Sequence, residues 1–168
     1  MEELACLVGG KTGIVDPYSG RSIDFADESE AYPYFMNHVG IDAYGDVLKA
    51  ELKPVSNQTE LIGFSVGASA IWKISDRIRP EFIVRAVCFY GSQIRHHQEI
   101  DPCLDVELVL PDFEPGFHVD ALAQQLSAKA HVIIHKTKYL HGFMNPHSKN
   151  FNHIGYRHYV EWLSTVAG

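Results

Sequence analysis

A serine between two glycines follows a short apolar run in LIGFSVGASA, residues 61–70. Residues 63–67 fit the pattern G-x-S-x-G, in which a sharp strand-to-helix turn presents a serine nucleophile, here Ser65. The pattern fixes three positions only, so the alternative is a glycine turn without chemistry. If the turn is catalytic, the backbone N–H of Val66 lies at the start of the next helix and would stabilise an oxyanion there.

The two glycines of the pattern are expected to have a steric role. A turn of this kind packs the chain tightly, so we expect no room for a Cβ at Gly63 or at Gly67. The small residues that follow, Ala68 and Ala70, are compatible with a helix that packs close to the sheet.

A serine nucleophile needs an acid and a histidine, which follow it in that order in folds with this turn. Two carboxylates, Asp112 and Glu114, follow a predicted strand in VLPDFEPG, and His141 stands in KTKYLHGFMNP. All three candidates lie beyond the carboxyl ends of predicted strands, as the chemistry requires. Either carboxylate is compatible with this pattern, and the alternative for each is a solvated loop residue.

Apolar periodicity predicts strands that alternate with helices. Strands are predicted at residues 11–18, 59–64, 82–91, 106–110 and 131–136. Helices are predicted at residues 2–8, 27–38, 40–52, 65–74, 117–128 and 150–166. This order indicates an α/β fold with a mostly parallel sheet of about five strands and helices on both faces.

Length, charge and composition predict the number of domains, the cellular compartment and the kinds of partner that are disfavoured. A chain of 168 residues is expected to form a single domain, and its net charge of −7 disfavours nucleic acid as a partner. The N-terminal MEELACLVGG lacks the features of a signal peptide, and no run approaches the ~20 apolar residues of a membrane span, so we expect a cytoplasmic protein without a membrane partner. Three widely spaced cysteines argue against a disulfide framework.

Neither a metal nor a cofactor is expected. The ten histidines include the pairs His96-His97, His131/His135 and His153/His158, but none has a zinc-like spacing with further ligands. The chain also contains no G-x-G-x-x-G or Walker sequence for a nucleotide. Surface or structural roles are the better interpretation of these histidines.

The chain resembles the dienelactone hydrolase-like family of the α/β-hydrolase superfamily. The matching segments are GFSVGAS around Ser65, FYGS at 89–92, LPDFEPGFHV, LHGFMNP with NF at 150–151, and a final helix with a tryptophan. The resemblance extends from residue 11 onward. It implies a minimal α/β-hydrolase fold and a serine hydrolase that acts on small esters or lactones.

By this resemblance, Ser65 is the nucleophile, His141 the general base and Glu114 the acid that orients the imidazole. Glu114 is preferred because family members hold the acid about four residues past the strand's last apolar position, and Asp112 is the alternative acid. The family proper has cysteine as its nucleophile, whereas this chain has serine.

A second departure concerns the substrate. Dienelactone hydrolases use an arginine just beyond the histidine to hold a substrate carboxylate, and this chain has Met144 and Asn145 there. Because the nucleophile is serine rather than cysteine, the family's own lactone substrate is not carried over, and the missing arginine weakens the carry-over further.

The resemblance also places the start of this chain at the fold's first helix, so we expect the sheet to lack its usual first strand and the oxyanion loop after it. Removal of one oxyanion donor typically costs about 10²- to 10³-fold in rate. The alternative function is thus a catalytically weak or inactive binding protein. An unpaired sheet edge would favour a homodimer.

Overall fold

The structure, a computed structural model, describes residues 2–166. This part of the chain forms an α/β fold around a parallel sheet with the strand order β1-β2-β3-β4. In chain order its elements are α1 (Glu2–Val8), α2 (Glu28–His38), α3 (Gly40–Leu52), β1 (Thr59–Phe64), α4 (Val66–Ile74), β2 (Ile83–Phe89), a 3-10 helix (Ser92–His96), β3 (Asp105–Leu110), α5 (Val119–Leu126), β4 (Val132–Lys136) and α6 (His153–Val166).

The predicted α/β class and parallel sheet are confirmed, but the described residues contain four strands rather than about five. The strand predicted at 11–18 is wrong. There the Asp16 carboxylate accepts hydrogen bonds from the backbone N–H groups of Tyr18, at 3.1 Å, and Gly20. The Val15 carbonyl accepts from the Tyr44 hydroxyl at 2.9 Å. Side chains therefore take backbone groups that a strand would pair, so residues 12–16 form no regular element and residues 17–20 form a turn.

Helices cover both faces of the sheet, and each face has its own apolar core. On one face α3, α4 and α5 pack over the strands, with Trp72 and Leu108 fully buried. On the other face α1 contacts α6, and Phe89 lies buried with Leu163. The nearly continuous apolar run of β2 follows from its position between β1 and β3.

None of the helices formed by residues 2–166 combines the length and apolar character that a membrane crossing requires. The longest, α6, has 14 residues, whereas a span needs about 20.

A row of charged and titratable side chains crosses the α6 face of the sheet, from Glu60 on β1 to His135 on β4. Arg85 on β2 places Nε 3.1 Å from the Glu107 carboxylate and 3.9 Å from that of Glu60. Glu107 also contacts His135 Nε2 at 2.6 Å, and the Arg85 guanidinium lies 5.5 Å from the centre of a Trp162 ring. Buried charges are costly unless they are paired, and the nearby carboxylates offset part of the cost of Arg85, whose Nε and one Nη are buried without a hydrogen-bond partner among residues 2–166.

Candidate active site

Ser65 stands at a strained turn between β1 and α4. Its backbone has φ 51° and ψ −111°, a conformation that non-glycine residues rarely adopt. The Ser65 N–H donates to the Phe89 carbonyl at 2.9 Å, and the Ser65 carbonyl accepts from the Ser69 N–H at 3.1 Å. The turn is therefore held by β2 on one side and by the first turn of α4 on the other.

The two glycines of the turn have different roles. A Cβ at Gly63 would lie 2.7 Å from the Ala68 backbone nitrogen, closer than real contacts allow. A Cβ at Gly67 would have Tyr44 as its nearest neighbour, at an ordinary 3.8 Å. The expectation of a steric requirement is confirmed at Gly63 and is wrong at Gly67, because the side-chain position of Gly67 points away from the strand.

We expect Gly63→Ala to destabilise the fold by about 3 kcal/mol, since the added methyl group must displace the backbone of α4. The measurement is the free energy of unfolding in urea. Gly67→Ala is the matched control. It adds the same methyl group inside a helix, where alanine is favoured over glycine by about 1 kcal/mol, so its stability should equal or exceed that of the wild type. Equal losses in both variants would contradict this account of the turn.

The carboxyl ends of the strands bring three predicted residues together. Ser65 follows β1, Glu114 lies in the loop after β3, and His141 lies in the loop after β4. Ser65 Oγ is 3.0 Å from His141 Nε2, and His141 Nδ1 is 2.5 Å from a Glu114 carboxylate oxygen. Parallel strands bring their carboxyl ends to one edge of the sheet, which is where ligands bind in open α/β sheets.

These contacts define which nitrogen of His141 carries the proton. An ionised carboxylate only accepts hydrogen bonds, so the Nδ1–H of His141 donates to Glu114. Nε2 is then left as an acceptor for the Ser65 hydroxyl. The arrangement can remove a proton from the serine and stabilise the imidazolium that results.

The two candidate acids have different surroundings. Glu114 is 6% exposed and contacts His141, so it is not a solvated loop carboxylate. Asp112 is exposed, and its backbone N–H donates to the Tyr139 carbonyl at 2.8 Å. The structure thus brings Glu114 to the histidine and leaves Asp112 at the surface.

Val66 is the first residue of α4. Its N–H belongs to the first helical turn, where backbone donors have no acceptor within the helix and the helix dipole favours negative charge. The predicted oxyanion donor is therefore at a helix N-terminus directly after Ser65.

Tyr90 is a second strained residue at this edge of the sheet. It follows β2 with φ 40°, is 3% exposed, and places its ring centre 4.8 Å from that of His141. Burial raises the pKa of Tyr90, and the charge of Glu28 raises it further, although the Met144 backbone N–H opposes the shift. The phenol is therefore neutral at physiological pH and forms a wall against the imidazole.

The loop after His141 contains contacts that motifs did not reveal. Asn150 Nδ2 donates to the His141 carbonyl at 2.8 Å. Met144 stands where dienelactone hydrolases, which the sequence resembles, have an arginine, and it is 4% exposed. Asn145, its neighbour, donates to Glu28 at 3.1 Å. Glu28 carries no recognisable motif, and its contact crosses 117 residues of chain, so no local pattern could have identified it.

Several of the histidines contact charged side chains elsewhere in the chain. His131 Nδ1 lies 3.0 Å from Asp105, and His97 Nδ1 lies 3.3 Å from Lys73 Nζ. Burial and the Lys73 charge lower the pKa of His97. Residues 2–166 contain no cluster of three or more histidine, cysteine or acidic side chains arranged to hold a metal ion.

Comparison with models of protein families gives no match to this chain. Among curated proteins, the chain is similar to "Uncharacterized protein YczH" of Bacillus subtilis (strain 168), with 36% identity over 129 residues. The aligned region covers 75% of this chain and 62% of the Bacillus protein. The chain thus spans less than two thirds of that relative.

Proposed function

We propose that this protein is a serine hydrolase of small esters or lactones, similar to the dienelactone hydrolase-like enzymes of the α/β-hydrolase superfamily. The observation that supports this most directly is the pair of contacts at His141, 3.0 Å to Ser65 Oγ and 2.5 Å to Glu114. A hydroxyl, an imidazole and a buried carboxylate in this order form the arrangement that activates a serine.

In the proposed first half-reaction, Ser65 Oγ attacks the carbonyl carbon of the ester while its proton passes to His141 Nε2. Negative charge forms on the carbonyl oxygen, which the Val66 N–H stabilises. Collapse of this intermediate breaks the bond to the leaving alkoxide. The alkoxide takes the proton from His141, which leaves an acyl group on Ser65.

In the second half-reaction, His141 removes a proton from water, which attacks the acyl carbon. The carboxylic acid departs as Ser65 Oγ regains a proton from His141. Glu114 is present throughout as the charge that stabilises the imidazolium and holds the ring in one orientation.

The strain at Ser65 supports the same proposal. Non-glycine residues with positive φ cost about 1–3 kcal/mol and cluster at functional sites. A glycine turn with no chemical role would place glycine at residue 65, where the conformation costs least. The serine side chain at that position is compatible with a need for its hydroxyl.

The alternative function is a catalytically weak or inactive protein that binds a ligand or dimerises. Separation of the three side chains beyond hydrogen-bond reach would favour it. The distances between Ser65, His141 and Glu114 provide no such support.

A fluorophosphonate probe tests the proposed function. We expect one adduct per chain in the intact mass spectrum, with the modified peptide mapping to Ser65, because the probe reacts with activated serines. Protein unfolded in urea before the probe is added provides the control and should remain unlabelled. Folded protein without an adduct, or with an adduct at another serine, would contradict the proposal. Hydrolysis of p-nitrophenyl acetate and of a small aromatic lactone then compares the two substrate classes.

A further inference from the structure

We propose that Glu28, the first residue of α2, is a positioning residue for His141 and acts through Ser148 and Asn150. This inference rests on the proposed function, because it assigns to Glu28 a role in holding the proposed general base. Glu28 does not contact the reacting atoms. Its effect would pass through the loop that carries His141.

A chain of hydrogen bonds joins the two residues. The Ser148 hydroxyl donates to Glu28 Oε2 at 3.0 Å, and Ser148 Oγ accepts from the Asn150 N–H at 3.3 Å. The Asn150 side-chain amide then donates to the His141 carbonyl at 2.8 Å. Ser148 both donates and accepts in this chain, which fixes the direction of its hydroxyl, and neighbouring hydrogen bonds can strengthen one another.

A second contact ties the same loop to the same carboxylate. Asn145 Nδ2 donates to Glu28 Oε1 at 3.1 Å, so both carboxylate oxygens bind the loop. Gly142, directly after His141, has φ 83°. A Cβ there would lie 2.5 Å from Ser148 Oγ and 3.2 Å from Glu28 Oε1. The loop is therefore folded closely over Glu28 at the residue next to the proposed base.

Ser148 is the buried member of this group, whereas Glu28 is exposed, so the contact ties a surface carboxylate to a hydroxyl inside the loop. Ser148 is 6% exposed, so its hydroxyl needs a partner within the protein. A carboxylate is a stronger acceptor than a neutral group, and Glu28 is the acceptor for Ser148 and Asn145. Removal of Glu28 would leave two donors of the loop without these partners.

We expect Glu28→Ala to lower kcat for an activated ester by about 10- to 100-fold with little change in KM. A misplacement of about 1 Å can cost about 10²-fold in rate, and the expected displacement affects the base rather than the substrate contacts. Glu28→Gln should fall between alanine and wild type, because its side chain has one carbonyl acceptor instead of two. Ser148→Ala, which breaks the middle of the chain, should resemble Glu28→Ala.

Glu30→Gln is the matched control. Glu30 lies on the same helix and carries the same charge, but its carboxylate accepts from the Ala26 N–H, a bond that glutamine can retain. The variant should keep wild-type kcat. Equal losses in Glu28→Ala and Glu30→Gln would indicate a general charge effect and overturn the proposal, as would wild-type kcat in Glu28→Ala.

Hydrogen exchange separates a failure of this inference from a failure of the proposed function. Peptides that cover residues 141–152 should exchange faster in Glu28→Ala and Ser148→Ala than in wild type or Glu30→Gln. If wild type forms no fluorophosphonate adduct, the proposed function fails, while faster exchange still supports Glu28 as the residue that holds the His141 loop. Unchanged exchange in Glu28→Ala would overturn that role whether or not the wild type is active.

Discussion

Ser65→Ala is expected to lower kcat for an activated ester by about 10⁴- to 10⁶-fold, and His141→Ala should cause a loss of similar size. Alanine at residue 65 removes the attacking oxygen, and alanine at residue 141 leaves that oxygen without a base at 3.0 Å. The two groups act in one step. The double variant should therefore be no slower than the poorer of the single variants.

The measurement is steady-state hydrolysis of p-nitrophenyl acetate, with the circular dichroism spectrum of each variant compared to that of wild type. Ser127→Ala is the control, because the Ser127 hydroxyl donates to the Gln124 carbonyl at the end of α5 and serves no proposed chemistry. Losses that add in the double variant would show that Ser65 and His141 do not act together. Wild-type activity in Ser65→Ala would refute the proposed mechanism.

Glu114→Gln is expected to lower kcat by about 10²- to 10⁴-fold, whereas Asp112→Asn should leave it unchanged. Glutamine retains the size of the buried side chain but removes the charge that stabilises the imidazolium. Its amide group can also present a donor to His141 Nδ1, which favours the tautomer with the proton on Nε2 and removes the acceptor for the Ser65 hydroxyl.

The two variants compare the two acids directly, because each changes one carboxylate to its amide. Thermal unfolding should accompany the kinetics, since Glu114 is buried and Asp112 is exposed. A large loss in Asp112→Asn, with activity retained in Glu114→Gln, would reverse the assignment of the acid.

The elements of the sheet were predictable because their apolar patterns are local. The run FIVRAVCFYG predicts a buried strand, and β2 occupies Ile83–Phe89 inside the sheet. The strand predicted at 11–18 was wrong for a reason that is also local. Asp16 competes for backbone N–H groups in the turn that follows, and a pattern of apolar residues carries no information on that competition.

The predicted strand ends bring Ser65, His141 and both candidate acids to one edge of the parallel sheet, but they do not distinguish Glu114 from Asp112, and that choice rests on the family resemblance. The network around Glu28 could not be predicted in this way. Glu28 and Ser148 are 120 residues apart, and their contact depends on the path of two loops rather than on the sheet.

The positive φ angles of Ser65 and Tyr90 lower the net stability of the protein. Each costs about 1–3 kcal/mol, against a net stability of about 5–15 kcal/mol for a typical domain. The sheet holds both bends without a ligand, so under the proposed function an acyl compound would meet a Ser65 hydroxyl that needs no rearrangement. The conformational free energy of the two bends is thus spent on folding, where it would otherwise reduce the affinity for that compound. Because the net free energy of unfolding is lower as a result, the protein tolerates fewer destabilising substitutions in its core.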